Sequence, residues 1–517
     1  MSWNVGHRIG NGCVDIRNRE ESWRNYILSA AALLPLVAAD WQFKSRTDLA
    51  PPRLNITIPA ASDVEKGYLF IAPFAGYPDT AGEQHGPRQA APYIFRDDGE
   101  LVWSGYESYS IWSTNFQKAR WKAKDVLFSF EGDHNPGYGH GHGHTTILDQ
   151  HYETIRELRA GNHKLTDKHE FHIINEETAL IQIYQPVPAD LTAWGASPEQ
   201  QWIVDAIIQE LDIETEAILP INPGQAGSGY NSSDAWDYFH INSVDKDSEG
   251  NYLISARDAC SVHKINGSTG EIICVSHHAR YVSKEGSKEV ISLYDNAAHG
   301  TEDGRGREVH THPFSQGKII KVDTATWKAT IVQAFQPPDG LLSKSQGNTQ
   351  LLPNGNVLNY RGFRYNWTGL PNEAPAIISL ANDDGTTVYV SWNGDTETKI
   401  WRFYSVTDDY GSREILGEVE RKGFETSLTI KGHNLKAVAA EAIGANGRVL
   451  TSTAAVKTKA EILPPRGSSS GSSFNAPTYT LYDENGEQVQ VGGQQTLADK
   501  SRWDEYMTLK VNRFDLK

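Results

Sequence analysis

The stretch Asn242–Ile273, "NSVDKDSEGNYLISARDACSVHKINGSTGEII", decides the fold. It alternates short runs rich in β-branched and aromatic residues with Ser-Glu-Gly-Asn and Asn-Gly-Ser-Thr-Gly turns, the pattern of consecutive antiparallel strands. Looser copies recur: "YIFRDDGELVWSG" from Tyr93, "IIQELDIETEAIL" from Ile207, "IIKVDTATWKATIV" from Ile319 and, in part, "TQLLPNGNVLNYRG" from Thr349. Their irregular spacing is about 40–55 residues, and units of that size made of about four strands are propeller blades. Between Gly67 and Leu380 there is room for about six. The expected fold is therefore all-β, a six-bladed β-propeller, with a tandem of β-sandwiches as the alternative. Convincing long helices are absent. The best helical candidate, "SPEQQWIVDAIIQELD" (Ser197–Asp212), reads as strand at its end.

Around this core the chain divides by composition. "YILSAAALLPLVAAD", Tyr26–Asp40, is too short and too proline-broken for a membrane span. It reads as the apolar part of a secretory leader, giving a leader segment 1–39 and a propeller over 40–373. From about Ala374, alternating runs such as "TTVYVSW" predict a β-sandwich over 374–460. "PPRGSSSGSSFNAP", Pro464–Pro477, is a flexible linker within a tail over 461–517. A secretory or secreted location also accords with four glycosylation sequons, at Asn55, Asn231, Asn266 and Asn366.

Of 517 residues, 38% are hydrophobic and the net charge is −17. That is ample material for a core. The acidic surface argues against nucleic acid and anionic membranes as partners, and no stable membrane association is expected once a leader is removed. The three cysteines, Cys13, Cys260 and Cys274, form no disulfide scaffold and no zinc-type pair. Cys260 and Cys274 flank a hairpin-like stretch, where a disulfide and two free thiols are equally compatible.

Two segments concentrate histidine. "GYGHGHGHTTILD", Gly137–Asp149, alternates His140, His142 and His144 with glycine. On an extended chain the three share one side, but alternate residues lie about 6.5–7 Å apart, too far to share a metal unless the glycines bend the chain. The run is read as a glycine-rich entry to a strand, with one or two histidines facing the axis. No metal and no cofactor are assigned. The second segment, Asp234–Val282, gathers His240, Asn242, Arg257, His277, His278 and Arg280, and His169 lies upstream in "DKHEFHI". Imidazoles with an arginine suit acid–base or nucleophilic work on an anion or a polarised aryl oxygen.

With those residues in place the sequence resembles the fungal branch of the arylsulfotransferase (ASST-like) family, over roughly Gly67–Val456. The resemblance is specific in "GYGHGHGHTTILD", "HEF", "ALIQIYQPVPADL", "YFHINSVDKDSEGNYLISAR", "KINGSTGEII", "HHAR", "ISLYDNA" and "SQGNTQLLPNGNVL". It implies a six-bladed propeller with an axial site, followed by a sandwich. It also implies sulfuryl transfer between phenols through a sulfated histidine, with His277 as nucleophile, His240, Asn242 and Arg257 around the sulfate, and His169 as an axial histidine. His142, His278, Arg280 and Asp258 are expected to touch substrate. The sequence departs from the family in three places. Asp258 replaces a histidine and would repel sulfate, a glycine-rich insertion beginning "WRLGG" is missing, and Ser276 replaces a glutamine. A site kept in outline but remodelled is similar to that of fungal propellers recruited to tropolone–sesquiterpene assembly. The leading expectation is therefore ring formation by hetero-Diels–Alder addition of a quinone-methide-like diene to a terpene alkene such as humulene. Aryl sulfotransfer is the first alternative, and a non-catalytic ligand-binding propeller the second. The implied partners are small aromatic and terpene molecules.

Overall fold

The computed structural model describes residues 40–73, 89–109, 112–135, 139–214, 218–219, 226–228, 235–237, 239–257, 261–268, 272–275, 279–299, 309–310, 312–337, 340–343, 346–360, 362–407, 412–461, 479–482 and 488–491. The expected leader, the Gly/Ser linker, Cys13, Asn231, Asp258, Cys260, His277 and His278 lie outside them. Among the described residues the chain is all-β. The helical element found there is one 3-10 turn, Thr192–Trp194. Ser197–Asp212, the best helical candidate, is instead a strand from Trp202 to Asp212. It pairs antiparallel with Thr178–Pro188 along its whole length, so ladder hydrogen bonds override helix propensity there.

Before Ala376 the described residues form six small sheets in succession, with a further two-stranded pair, Ala298–His299/Val309–His310, inserted in the chain within the fifth. The first contains Tyr68–Ile71, Tyr93–Phe95 and Leu101–Ser104, joined by the late strand Phe363–Tyr365. The second is the meander Trp112–Trp121, Lys124–Gly132, Gly143–Leu148 and Thr154–Leu158. The third is built on Phe171–Ile174, Thr178–Pro188 and Trp202–Asp212, with Ala235–Asp237 added parallel to the last of these. The fourth comprises Ile241–Lys246, Tyr252–Ala256, Ser261–Ile265 and Ile272–Val275. The fifth comprises Ala279–Glu285, Lys288–Asp295, Gln316–Asp323 and Lys328–Phe335, and the sixth is the hairpin Asn348–Leu351/Val357–Tyr360. Each packs on the next through shared apolar clusters. Phe128 meets Phe171 between the second and third, Tyr184 and Ile208 meet Val244 and Ile254 between the third and fourth, and Leu253 meets Ile291 between the fourth and fifth.

The chain then returns to its start. Phe363–Tyr365 pairs antiparallel with Tyr68–Ile71. At the centre of that returning strand Arg364 is 2% exposed. Its guanidinium grips Asp97 with two nitrogens, and its Nε donates to the Glu65 carbonyl at 2.6 Å. Gly67, at φ +143°, sits where a Cβ would lie 2.7 Å from the Tyr365 carbonyl oxygen, so glycine is required for the two strands to approach.

Beyond Ala376 two further sheets face each other. One holds Ala376–Asn382, Gly385–Ser391 and Glu425–Lys431, and the other Thr398–Val406, Arg413–Glu420 and Ala437–Gly444. Val388, Val390, Trp401, Phe403, Val438 and Ala440 fill the space between them. This layer is tied to the first two sheets: Tyr152 Oη donates to the Gly394 carbonyl at 2.6 Å, and Asn393 exchanges hydrogen bonds with the backbone of Ser104.

Replacing Arg364 by Met removes the buried cation and leaves Asp97 one-third exposed without a partner. Breaking a buried pair costs 3–5 kcal/mol, and partial solvation of Asp97 lowers the expectation to roughly 2–4 kcal/mol. Urea denaturation of Arg364→Met should show that loss. A midpoint equal to that of the parent would show that the return strand does not depend on the pair.

Candidate functional site

Three histidines from separate segments meet. The ring centroids of His140 and His240 lie 5.4 Å apart, those of His169 and His240 5.0 Å, and those of His140 and His169 6.5 Å. His140 precedes the strand Gly143–Leu148, His169 precedes Phe171–Ile174, and His240 precedes Ile241–Lys246. Ends of strands in three consecutive stretches of chain thus aim their side chains at one place.

Two buried aspartates hold these rings. Asp167 Oδ1 accepts from His169 Nδ1 at 2.5 Å and from the His169 backbone N–H at 2.9 Å, while Oδ2 accepts from the Gly141 N–H at 2.8 Å. Asp237 Oδ2 bridges His240 Nδ1 at 2.7 Å and His140 Nε2 at 2.8 Å, and Oδ1 accepts the His240 backbone N–H at 3.0 Å. His240 adopts φ +49°, which turns its backbone so that N–H and Nδ1 both reach one carboxylate. The Tyr184 ring stacks on His140 at 4.0 Å, and its hydroxyl donates to the Ile241 carbonyl at 2.5 Å. In His169 and His240, Nδ1 is committed to a carboxylate, the arrangement of an acid–histidine dyad.

Electrostatics follow from burial. Burial opposes charge on Asp167, yet its bonding to His169 and the nearby Lys168 ammonium hold the carboxyl well below its ordinary value. The same opposition acts on Asp237, where His240 and His140 win. For His169, burial and then the Lys168 charge push the imidazole down to about 3, so it is neutral at physiological pH. Lys168 Nζ lies 3.4 Å from His169 Nε2 and 5.8 Å from the Trp112 ring centre, and Trp112 stacks on His134.

The sequence-selected residues distribute as follows. His169 and His240 are in the cluster. Arg257 is 7% exposed and its backbone N–H donates to the His240 carbonyl at 2.9 Å. Asn242 is half-buried, and its Oδ1 has no hydrogen-bond partner among the described residues. Arg280 is committed to Glu170, Nη2 to Oε2 at 2.7 Å. The histidines of the glycine run do not share a side, because the strand begins only at Gly143. His142 is exposed, and His144 lies 3.5 Å from Glu131. His140 alone of the three reaches the cluster, and its carboxylate partner is 97 residues away. A Cβ on Gly143 would meet the Glu131 carbonyl at 1.9 Å, which explains that glycine as a close strand contact. Sequence reasoning missed Asp167, Asp237, Lys168 and Tyr184. The signals were present as Asp-x-His in "DKH" and Asp-x-x-His in "DYFH".

Residues 117–362 match the arylsulfotransferase (ASST) family. The match covers just under half of the chain and contains His140, Asp167, His169, Asp237, His240 and Arg257. No curated protein matches significantly. Among solved structures, the chain is similar to a protein of unknown function from Bacteroides caccae at 10% identity and TM-score 0.29, covering 64% of this chain and 84% of that one. It is also similar to a glycoside hydrolase at 6% identity and TM-score 0.23, covering 62% and 92%.

The neutral, buried His169 gives a pH prediction. Its folded value of about 3 lies below the ordinary 6.5, so the unfolded chain takes up the proton first as the medium is acidified. Its contribution to stability is complete above pH 6.5 and is lost as pH falls toward 3, and the lowered Asp167 acts in the same direction below its ordinary 3.8. His169→Asn retains an N–H donor facing Asp167 but does not titrate. Thermal denaturation between pH 7 and pH 4 should fall less steeply for that variant than for the parent. Parallel curves would show that His169 is not the titrating group.

Proposed function

We propose that the chain transfers a sulfuryl group from an aryl sulfate to a phenol, without a nucleotide donor, at the histidine cluster. The observation that carries this reading is the meeting of three imidazoles on two buried carboxylates inside the segment that matches the arylsulfotransferase family. The proposed architecture is a six-bladed propeller over 40–373 with the cluster at its axis, followed by a sandwich over 374–460. Six successive sheets packed in order, with Phe363–Tyr365 returning to the first, support it.

In the proposed reaction an imidazole Nε2 attacks sulfur. The N–S bond forms as the S–O bond to the aryl group breaks, and the phenolate leaves and takes up a proton. The acceptor phenol then attacks the same sulfur, the N–S bond breaks, and the phenol proton passes to a neighbouring imidazole. His277 is the proposed nucleophile. His169 and His240, each oriented by its aspartate, serve the proton transfers, Asn242 and Arg257 face the sulfuryl oxygens, and Lys168 adds a positive charge beside them. Secretion, with glycans on the exposed Asn55 and Asn366, is proposed alongside.

The same acid–base groups also support the ring-forming reading, in which a hydroxymethyl tropolone loses water to give a diene that adds to a terpene alkene. One assay separates the two. With p-nitrophenyl sulfate and phenol, nitrophenolate release and a sulfated histidine by mass spectrometry are expected, falling roughly 100-fold or more in His240→Ala and His277→Ala. Adduct formation from the tropolone and humulene with no nitrophenolate would replace sulfotransfer by ring formation. Ligand binding with neither reaction would leave a non-catalytic module.

A further inference from the structure

The geometry points to a divalent transition-metal site at His140, Asp237 and His240, a role the sequence reading did not give these residues. His140 Nε2, Asp237 Oδ2 and His240 Nδ1 all lie within 4.8 Å of one another. The two nitrogens stand 2.8 and 2.7 Å from the shared oxygen. A tetrahedral metal bound at about 2.1 Å places its ligand atoms about 3.4 Å apart. Each nitrogen therefore needs to draw back from the shared oxygen by roughly 0.6–0.7 Å to admit an ion. In each ring the proton that now points at the carboxylate would pass to the other ring nitrogen, leaving a neutral imidazole whose freed lone pair faces the ion.

Two neutral imidazoles and one carboxylate form a nitrogen-rich set suited to zinc, iron(II), cobalt(II) or manganese(II) rather than to calcium or magnesium. The surroundings already orient the ligands. The His240 backbone N–H fixes the second oxygen of Asp237, Tyr184 fixes the plane of the His140 ring, and the φ of +49° at His240 sets its direction. Three protein ligands leave a position open for water or for an anionic substrate oxygen, as in catalytic rather than structural sites. The His169 ring lies 5.0 Å from the His240 ring. The glycine-alternating run thus contributes one ligand, His140, and the other two come from "DYFH".

The inference stands apart from sulfuryl transfer and is tested by binding alone. The full chain, stripped with chelator and dialysed, is titrated with zinc by calorimetry, and cobalt(II) is added to the unaltered chain to read its visible absorption. One equivalent of zinc is expected, together with a cobalt spectrum that zinc abolishes. In His140→Ala and Asp237→Asn, affinity should fall at least about tenfold. His142→Ala, which alters an exposed histidine of the same run, should bind like the parent. An unaltered chain with neither zinc saturation nor a cobalt spectrum overturns the site, however the variants fold. So do folded His140→Ala and Asp237→Asn chains, judged by circular dichroism, that bind as tightly as the parent. Absence of aryl sulfate turnover would leave these results unchanged, so the two readings fail separately.

Discussion

The order of the first six sheets depends on one contact, the seating of Phe363–Tyr365 against Tyr68–Ile71. A sheet that packs face to face on its neighbours still has outer faces at the two ends of the series, and apolar ends of that kind are exposed unless the series returns on itself. Here the last segment supplies a strand to the first sheet, across nearly 300 residues. Such a long-range pairing gains little from local propensity and pays the full entropy of loop closure. A buried arginine at its centre, held by a carboxylate and a backbone carbonyl, offsets that cost and specifies register as well. A slip by one residue would turn Arg364 out of reach of Asp97 and bury the neighbouring aromatic rings wrongly.

The cluster depends in turn on that order. His140, His169 and His240 each sit at the entry to a strand, so their separations are set by how the second, third and fourth sheets pack. Inside this space a carboxylate is costly unless it is fully hydrogen-bonded. Asp167 has three donors on its two oxygens, and Asp237 likewise has three. Each aspartate spends one bond on the backbone N–H of its own histidine and another on the ring, so backbone and side chain are fixed by the same charge. The dyads are thereby rigid without needing a helix or a disulfide.

Much of the fold was legible because strand periodicity and Gly/Asn/Asp turns are local signals. "NYLISA" and "KEVISLYD" are strands in the structure, as their β-branched and aromatic content between turn residues indicates. Ser197–Asp212 was less legible because glutamate, glutamine and alanine favour helices, and its strand state comes from a partner read elsewhere in the chain. At the site, His169 and His240 were legible by type and setting. Their aspartates lay two and three residues upstream but carried no weight, since a carboxylate near a histidine in sequence is common and only burial makes it an anchor. In the sequence, His140 looks unable to share a ligand with its neighbours, because alternate residues of a strand stand about 6.5–7 Å apart. That reason fails because His140 precedes the strand and meets a carboxylate from a different sheet, which no local pattern can announce.

The different nitrogens used by the histidines carry the last step of the argument. His169 and His240 give Nδ1 to an aspartate, whereas His140 gives Nε2. His140 therefore meets Asp237 through the nitrogen far from its backbone and His240 through the near one, with the two rings stacked at 5.4 Å beside one carboxylate. A dyad built only for proton transfer needs one imidazole per carboxylate, as Asp167 and His169 illustrate. The second ring on Asp237 adds nothing to that task. It does complete a three-ligand set, and it stands apart from the Asp167–His169 dyad. One aspartate serving two imidazoles is thus better matched to holding an ion, and the aspartate serving one to moving a proton.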